Sequence, residues 1–91
     1  MAVTVRVPTS LRKLTGDIEL LELEAGSVIE IINAMDQKYP GVKAKVCDDA
    51  GELRRFVNIY VDGEDIRFLS GKNTMIENGK EMSIVPSIAG G

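Results

Sequence analysis

The segment GSVIEIINAMDQKYPG, residues 26 to 41, restricts the fold more than any other stretch of this chain. Ser27 can accept a hydrogen bond from a free amide of a first helical turn, and Glu30, three residues on, can reach back to the Ser27 amide. Val28, Ile31, Ile32, Met35 and Tyr39 follow at the spacing of one helical face, and Pro40-Gly41 closes the segment. A helix with a single apolar stripe needs a flat apolar surface to cover. Both flanks supply one, because the pattern there switches to a period of two. Val3, Val5 and Val7 alternate with Thr4 and Arg6 in a strand ended by Pro8. In Phe56 to Val61, Val57, Ile59 and Val61 share one face and Asn58 and Tyr60 the other, before the Asp62-Gly63 turn signal.

Asp17 to Glu24 reads as a second strand whose alternation breaks at Leu20-Leu21, which predicts a bulge or burial on both faces. Residues 42 to 54 have no clean period, with a turn or short helix expected around Val42 to Val46. Ile66 and Phe68 predict a brief return strand, Leu69 to Ile76 a loop or one helical turn, and Asn78-Gly79 a tight turn. Met82 to Pro86 is the last strand, with Met82 and Ile84 on one face and Ser83 and Val85 on the other. A helix between strands makes a crossover, so the third strand should run parallel to a strand of the first hairpin. The fold class is α+β: a single-domain, ubiquitin-like β-grasp with a mixed sheet covered by one main helix. One domain spans 1–91, with 87–91 as an extended, flexible C-terminal tail.

A chain of 91 residues is long enough for a core but not for a core plus a buried catalytic cleft. It has 11 basic against 14 acidic side chains, and its basic residues are scattered. Neither nucleic acid nor an anionic membrane is expected as a partner; another protein is. The start MAVTVRVPTS has no apolar signal core and no stretch is long enough to span a bilayer, so a cytoplasmic location is expected. The single cysteine, Cys47, and the lack of histidine exclude an internal disulfide, a Cys/His zinc site and a Cys–His catalytic pair. Most catalysis by the chain's own side chains is thereby disfavoured.

The closing VPSIAGG raises a separate question, since two terminal glycines stabilise no helix, strand or cap. If the last strand ends near Pro86, Ile88 to Gly91 can extend about 13–14 Å at roughly 3.3–3.6 Å per residue. Gly90 and Gly91, lacking Cβ atoms, could pass down a channel too narrow for side chains. The group delivered would be the Gly91 carboxylate, which is ionised at neutral pH and able to attack the α-phosphorus of ATP. The same ending would also suit a frayed terminus or a cleavage scar.

The order of elements, together with VTVRVPTSLRKLTG near the start and NGKEMSIVPSIAGG at the end, resembles the bacterial and archaeal sulfur-carrier family. That family includes the molybdopterin-synthase small subunit and the thiamine-biosynthesis carrier. Within it, RFVNIYVDGEDIRF (Arg55 to Phe68) is most similar to the carrier that supplies sulfur for cysteine biosynthesis. The molybdopterin pattern is matched only loosely by NIYVDGEDI. The resemblance implies that an ATP-dependent activating enzyme adenylates Gly91, which becomes a terminal thiocarboxylate. It also implies a sulfur-acceptor enzyme: a pyridoxal-phosphate cysteine synthase or, alternatively, a molybdopterin-synthase large subunit. No cofactor is expected on the carrier, the ATP being used by the partner.

Ile88, Ala89, Val85 and Tyr60 are the candidate partner-binding residues. Tyr60, Phe68, Leu69 and Val85 could form an exposed apolar patch, although Phe68 is expected in the core. Cys47 stands beside Asp48 and Asp49, which should raise its pKa and disfavour a thiolate. The pairs Asp48-Asp49 and Glu64-Asp65 are expected in solvated turns. Besides a sulfur carrier, two classes stay open: a ubiquitin-like modifier joined to lysines, and a plain β-grasp interaction module.

Overall fold

The computed structural model describes residues 2–86. Its strands are β1 (Val3–Arg6), β2 (Leu20–Leu23), β3 (Gly26–Ser27), β4 (Val57–Val61), β5 (Glu64–Asp65), β6 (Met75–Ile76) and β7 (Glu81–Pro86). Two helices, α1 (Val28–Lys38) and α2 (Val42–Val46), lie between β3 and β4. Single 3-10 turns occupy Thr9–Leu11, Ile66–Phe68 and Gly71–Asn73.

Five strands form one mixed sheet in the order β2-β1-β7-β4-β5, and β3 pairs with β6 apart from it. Among the described residues the single parallel pairing is β1 with β7; β1–β2, β7–β4 and β4–β5 are antiparallel. β4 thus runs in the direction of β2, as the crossover argument requires, but with β1 and β7 between them. The last strand fills the centre, so both of its edges are hydrogen-bonded.

Both halves of the capping box form. The Glu30 amide donates to Ser27 Oγ at 3.2 Å, and the Ser27 amide donates to Glu30 Oε1 at 2.8 Å. Gly26 makes room for that returning carboxylate: a Cβ there would lie 3.0 Å from Glu30 Oε1. Val28, Ile31, Ile32 and Met35 are buried as their spacing demands, and Tyr39 is half-buried at the end of the stripe. Asp36 Oδ1 then accepts from the amides of Gly41 and Lys43, both at 3.0 Å, which ties the end of α1 to the start of α2. Gly41 makes this corner at φ +108°, a conformation that favours glycine.

The core lies between α1 and the inner face of the sheet, where Val3, Val5, Ile59, Met82 and Ile84 meet the helix stripe. Asp62 and Gly63 both take positive φ, 49° and 88°, in a two-residue hairpin turn that closes Val61 onto Glu64. The Asp62 carboxylate also accepts from the Glu81 amide at 2.8 Å, stitching this turn to β7. Glu77 to Lys80 forms the tight turn signalled by Asn78-Gly79, with the Lys80 amide donating to the Glu77 carbonyl at 3.1 Å.

Three local expectations are corrected. There is no bulge at Leu20-Leu21: the register with β1 is continuous, so Leu21 packs inward opposite Val5, while Leu20 points outward and is 48% exposed. The return strand is Glu64–Asp65, not Ile66 to Phe68, because the Asp65 carboxylate accepts from the Arg67 amide at 2.8 Å and caps a 3-10 turn there. That turn carries Ile66 into the core and Phe68 out of it, to 86% exposure. Within Leu69 to Ile76, the last two residues are β6, paired with β3. Among the described residues, no helix is long and apolar enough to cross a membrane.

Candidate functional site

Strand alternation places Arg6, Tyr60, Ser83 and Val85 on the face of the sheet turned away from α1. Register then assembles them: Leu20 stands opposite Arg6, Arg6 beside Ser83, Ser83 opposite Tyr60, and Tyr60 opposite Asp65. One row of side chains therefore crosses all five strands. Val85 lies two residues further along β7, opposite Asn58, and is 43% exposed. Arg6 is held by an ion pair to Glu81 at 3.1 Å, which leaves the Leu20, Tyr60 and Val85 surfaces as the apolar part of the face.

The predicted site residues Tyr60 and Val85 are thus brought onto one surface, close to where β7 ends at Pro86, which pairs with Val57. Ile88, Ala89, Gly90 and Gly91 lie outside the described residues, as does the tail expected at 87–91. Phe68 is not a core residue, and it stands with Leu69 on the turn after β5, exposed to solvent. Sequence reasoning missed Leu20. Its signal was the doubled leucine itself, since a second leucine at a polar-face position marks an outward apolar side chain once the register is regular.

Of the remaining candidates, Cys47 lies in the core and Asp48 and Asp65 shape turns. Cys47 is buried, and burial is the main cause that pushes its thiol pKa up; Asp48 adds to this and Lys43 opposes it. The raised value matches expectation, but burial outweighs the acidic neighbours. Asp48 Oδ1 accepts from the amides of Ala50 and Glu52 at 2.9 and 3.0 Å, so it builds a turn, and Asp65 caps the 3-10 turn Ile66–Phe68. An amphipathic surface beside the end of the central strand can bind another protein.

A family model described as the ThiS family matches residues 5–91. The sulfur carrier protein CysO of Mycobacterium tuberculosis is 39% identical over 93 residues, covering 100% of each chain. Among solved structures, a chain of the Amycolatopsis orientalis BexX/CysO complex superposes with a TM-score of 0.91 at 39% identity, covering 99% of this chain and 100% of that one. The small archaeal modifier protein 1 of Methanosarcina acetivorans gives a TM-score of 0.86 at 29% identity, covering 99% and 96%.

Proposed function

The chain belongs to the ThiS family of ubiquitin-like sulfur carriers, and on that premise we propose that it carries sulfur for cysteine biosynthesis on the carboxyl group of Gly91. An ATP-dependent activating enzyme forms the acyl-adenylate: a Gly91 carboxylate oxygen bonds to the α-phosphorus and pyrophosphate leaves. A hydrosulfide equivalent then displaces AMP, and Gly91 becomes a thiocarboxylate. The acceptor would be a pyridoxal-phosphate cysteine synthase, whose cofactor would supply an electrophilic three-carbon amino acid unit; the Gly91 sulfur would bond to it as a thioester, the acyl group would pass from sulfur to the amine, and a protease would hydrolyse the resulting Gly91–cysteine amide.

The observation that carries this reading is the end-to-end likeness to a sulfur carrier at 39% identity. The sheet supports it, since its exposed row and Val85 lie beside the end of β7. Tyr60 and Val85 dock the chain on its partners, Ile88 and Ala89 lead into the partner's channel, and Gly90 gives the narrow passage that places Gly91. The ATP belongs to the activating enzyme, and the carrier has no resident cofactor.

The likeness to a small archaeal modifier protein favours one second reading, in which the same activated Gly91 forms isopeptide bonds to lysines. Intact mass after incubation with the host's activating enzyme, ATP and a sulfide source separates the two. A gain equal to one oxygen replaced by one sulfur, localised to Gly91, supports the carrier. Conjugates of higher mass without that species support the modifier, and an unchanged mass overturns both.

A further inference from the structure

On the opposite side of β4 from Tyr60, a cavity of about 320 Å³ opens at the edge of the core. Its floor is apolar, formed by Leu53, Val57, Ile59 and Ile66. Its rim holds Arg54, Arg55 and Arg67, three of the five arginines in a chain of net charge −3. The β4–β5 hairpin gathers them, since it brings residue 67 back beside the segment that enters β4.

The three guanidinium groups differ in what already holds them. Arg54 donates from Nε and Nη2 to the Ala44 carbonyl, at 3.2 and 3.0 Å, which fixes its position without a counter-charge. Arg67 shares Asp65, with Nε 3.4 Å from Oδ1. Arg55 is exposed and makes no ion pair among the described residues. The site therefore joins an apolar hollow to positive charge that has little internal compensation.

We propose that this groove docks an acidic peptide segment of a partner protein, with one aliphatic or aromatic side chain in the hollow and flanking carboxylates on the arginines. Arginine suits the second role, because its planar fork matches a carboxylate. A free inorganic anion would leave the apolar floor uncovered. A nucleic acid needs a longer basic track than one rim on an otherwise acidic chain provides. The volume lies at the small end of the roughly 300–1,000 Å³ seen for ligand sites, enough for one or two side chains. Val57, in the floor, is the residue paired with Pro86, so the segment would lie next to the end of β7. This docking does not depend on sulfur chemistry.

The test is an NMR titration of the ¹⁵N-labelled full chain with the hexapeptide acetyl-Glu-Asp-Leu-Phe-Asp-Glu-amide, at low salt and up to about 1 mM. Saturable shifts confined to the amides of Leu53 to Val57 and Ile66-Arg67 are expected. Arg55→Glu and Arg67→Glu should each weaken binding about tenfold, with the folded spectrum retained, because both side chains are exposed. The same peptide with lysines for its acids should give no shifts. Shifts that are absent or scattered over the surface overturn the proposal, and so does stronger binding at these amides by oligothymidylate.

Discussion

Ile66 and Phe68 are two residues apart, and truncating each to alanine should separate them sharply. Phe68 is 86% exposed. A phenylalanine can bury about 150–250 Å², so roughly one-seventh of that, at about 25 cal/mol per Å², leaves about 0.5–0.9 kcal/mol to lose. Ile66 is 1% exposed and packs in the core cluster. Ile66→Ala removes a buried side chain and leaves a cavity, at a cost of about 2–5 kcal/mol. In a domain of this size 1 kcal/mol shifts Tm by about 4–8 °C. Phe68→Ala should therefore lower Tm by no more than about 7 °C, and Ile66→Ala by at least about 8 °C. Urea denaturation monitored by circular dichroism should give the same ranking, with unchanged slopes. Equal losses from the two variants would refute the placement of the 3-10 turn that Asp65 caps.

Other outcomes follow from the same geometry. Tyr60→Asp and Val85→Asp should each keep the fold but lower kcat/KM for thiocarboxylation by the activating enzyme about 10- to 100-fold, measured by single-turnover mass spectrometry. Gly26→Ala should destabilise the wild type by displacing the Glu30 carboxylate, yet stabilise a Glu30→Ala background by about 0.4–1 kcal/mol, because there only the entropy of the unfolded chain changes. The Asp62 carboxyl is held below its ordinary range, chiefly by the hydrogen bond from the Glu81 amide. Its folded pKa being below its unfolded one, the stability it contributes is present above about pH 4 and is lost as pH falls toward the folded value. Asp62→Asn should flatten that part of the pH dependence of the urea midpoint.

The parts of the fold that could be read from residues are those whose signals are local. The capping box needs only Ser27 and Glu30, and the faces of β1, β4 and β7 need only alternation. The features that escaped depend on contacts made at a distance or by one side chain. Leu20 is outward because of its register with β1, which its own neighbours do not specify. β3 and β6 have two residues each, too few to carry a period. Phe68 left the core because one carboxylate, Asp65, bends the chain a residue earlier than its apolar pattern implies. Of the candidate site, Tyr60 and Val85 were legible by alternation, and Ile88 to Gly91 lie outside the described residues. The arginine-rimmed groove was not legible, since residues 54, 55 and 67 become neighbours only through the hairpin.

The position of β7 also sets the moment at which the sheet is joined during synthesis. Until Glu81 to Pro86 have left the ribosome, the hairpins β1–β2 and β4–β5 share no hydrogen bond, because β7 is the seam between them. Contacts such as Arg6 with Glu81, 75 residues apart, are then the last to form and among the most costly in chain entropy. The outer row of Leu20, Arg6, Ser83, Tyr60 and Asp65 is therefore continuous only once β7 is in place. A partner that recognised this row would inspect folding and read identity in one act, since a chain whose β7 has not docked presents the row only in pieces.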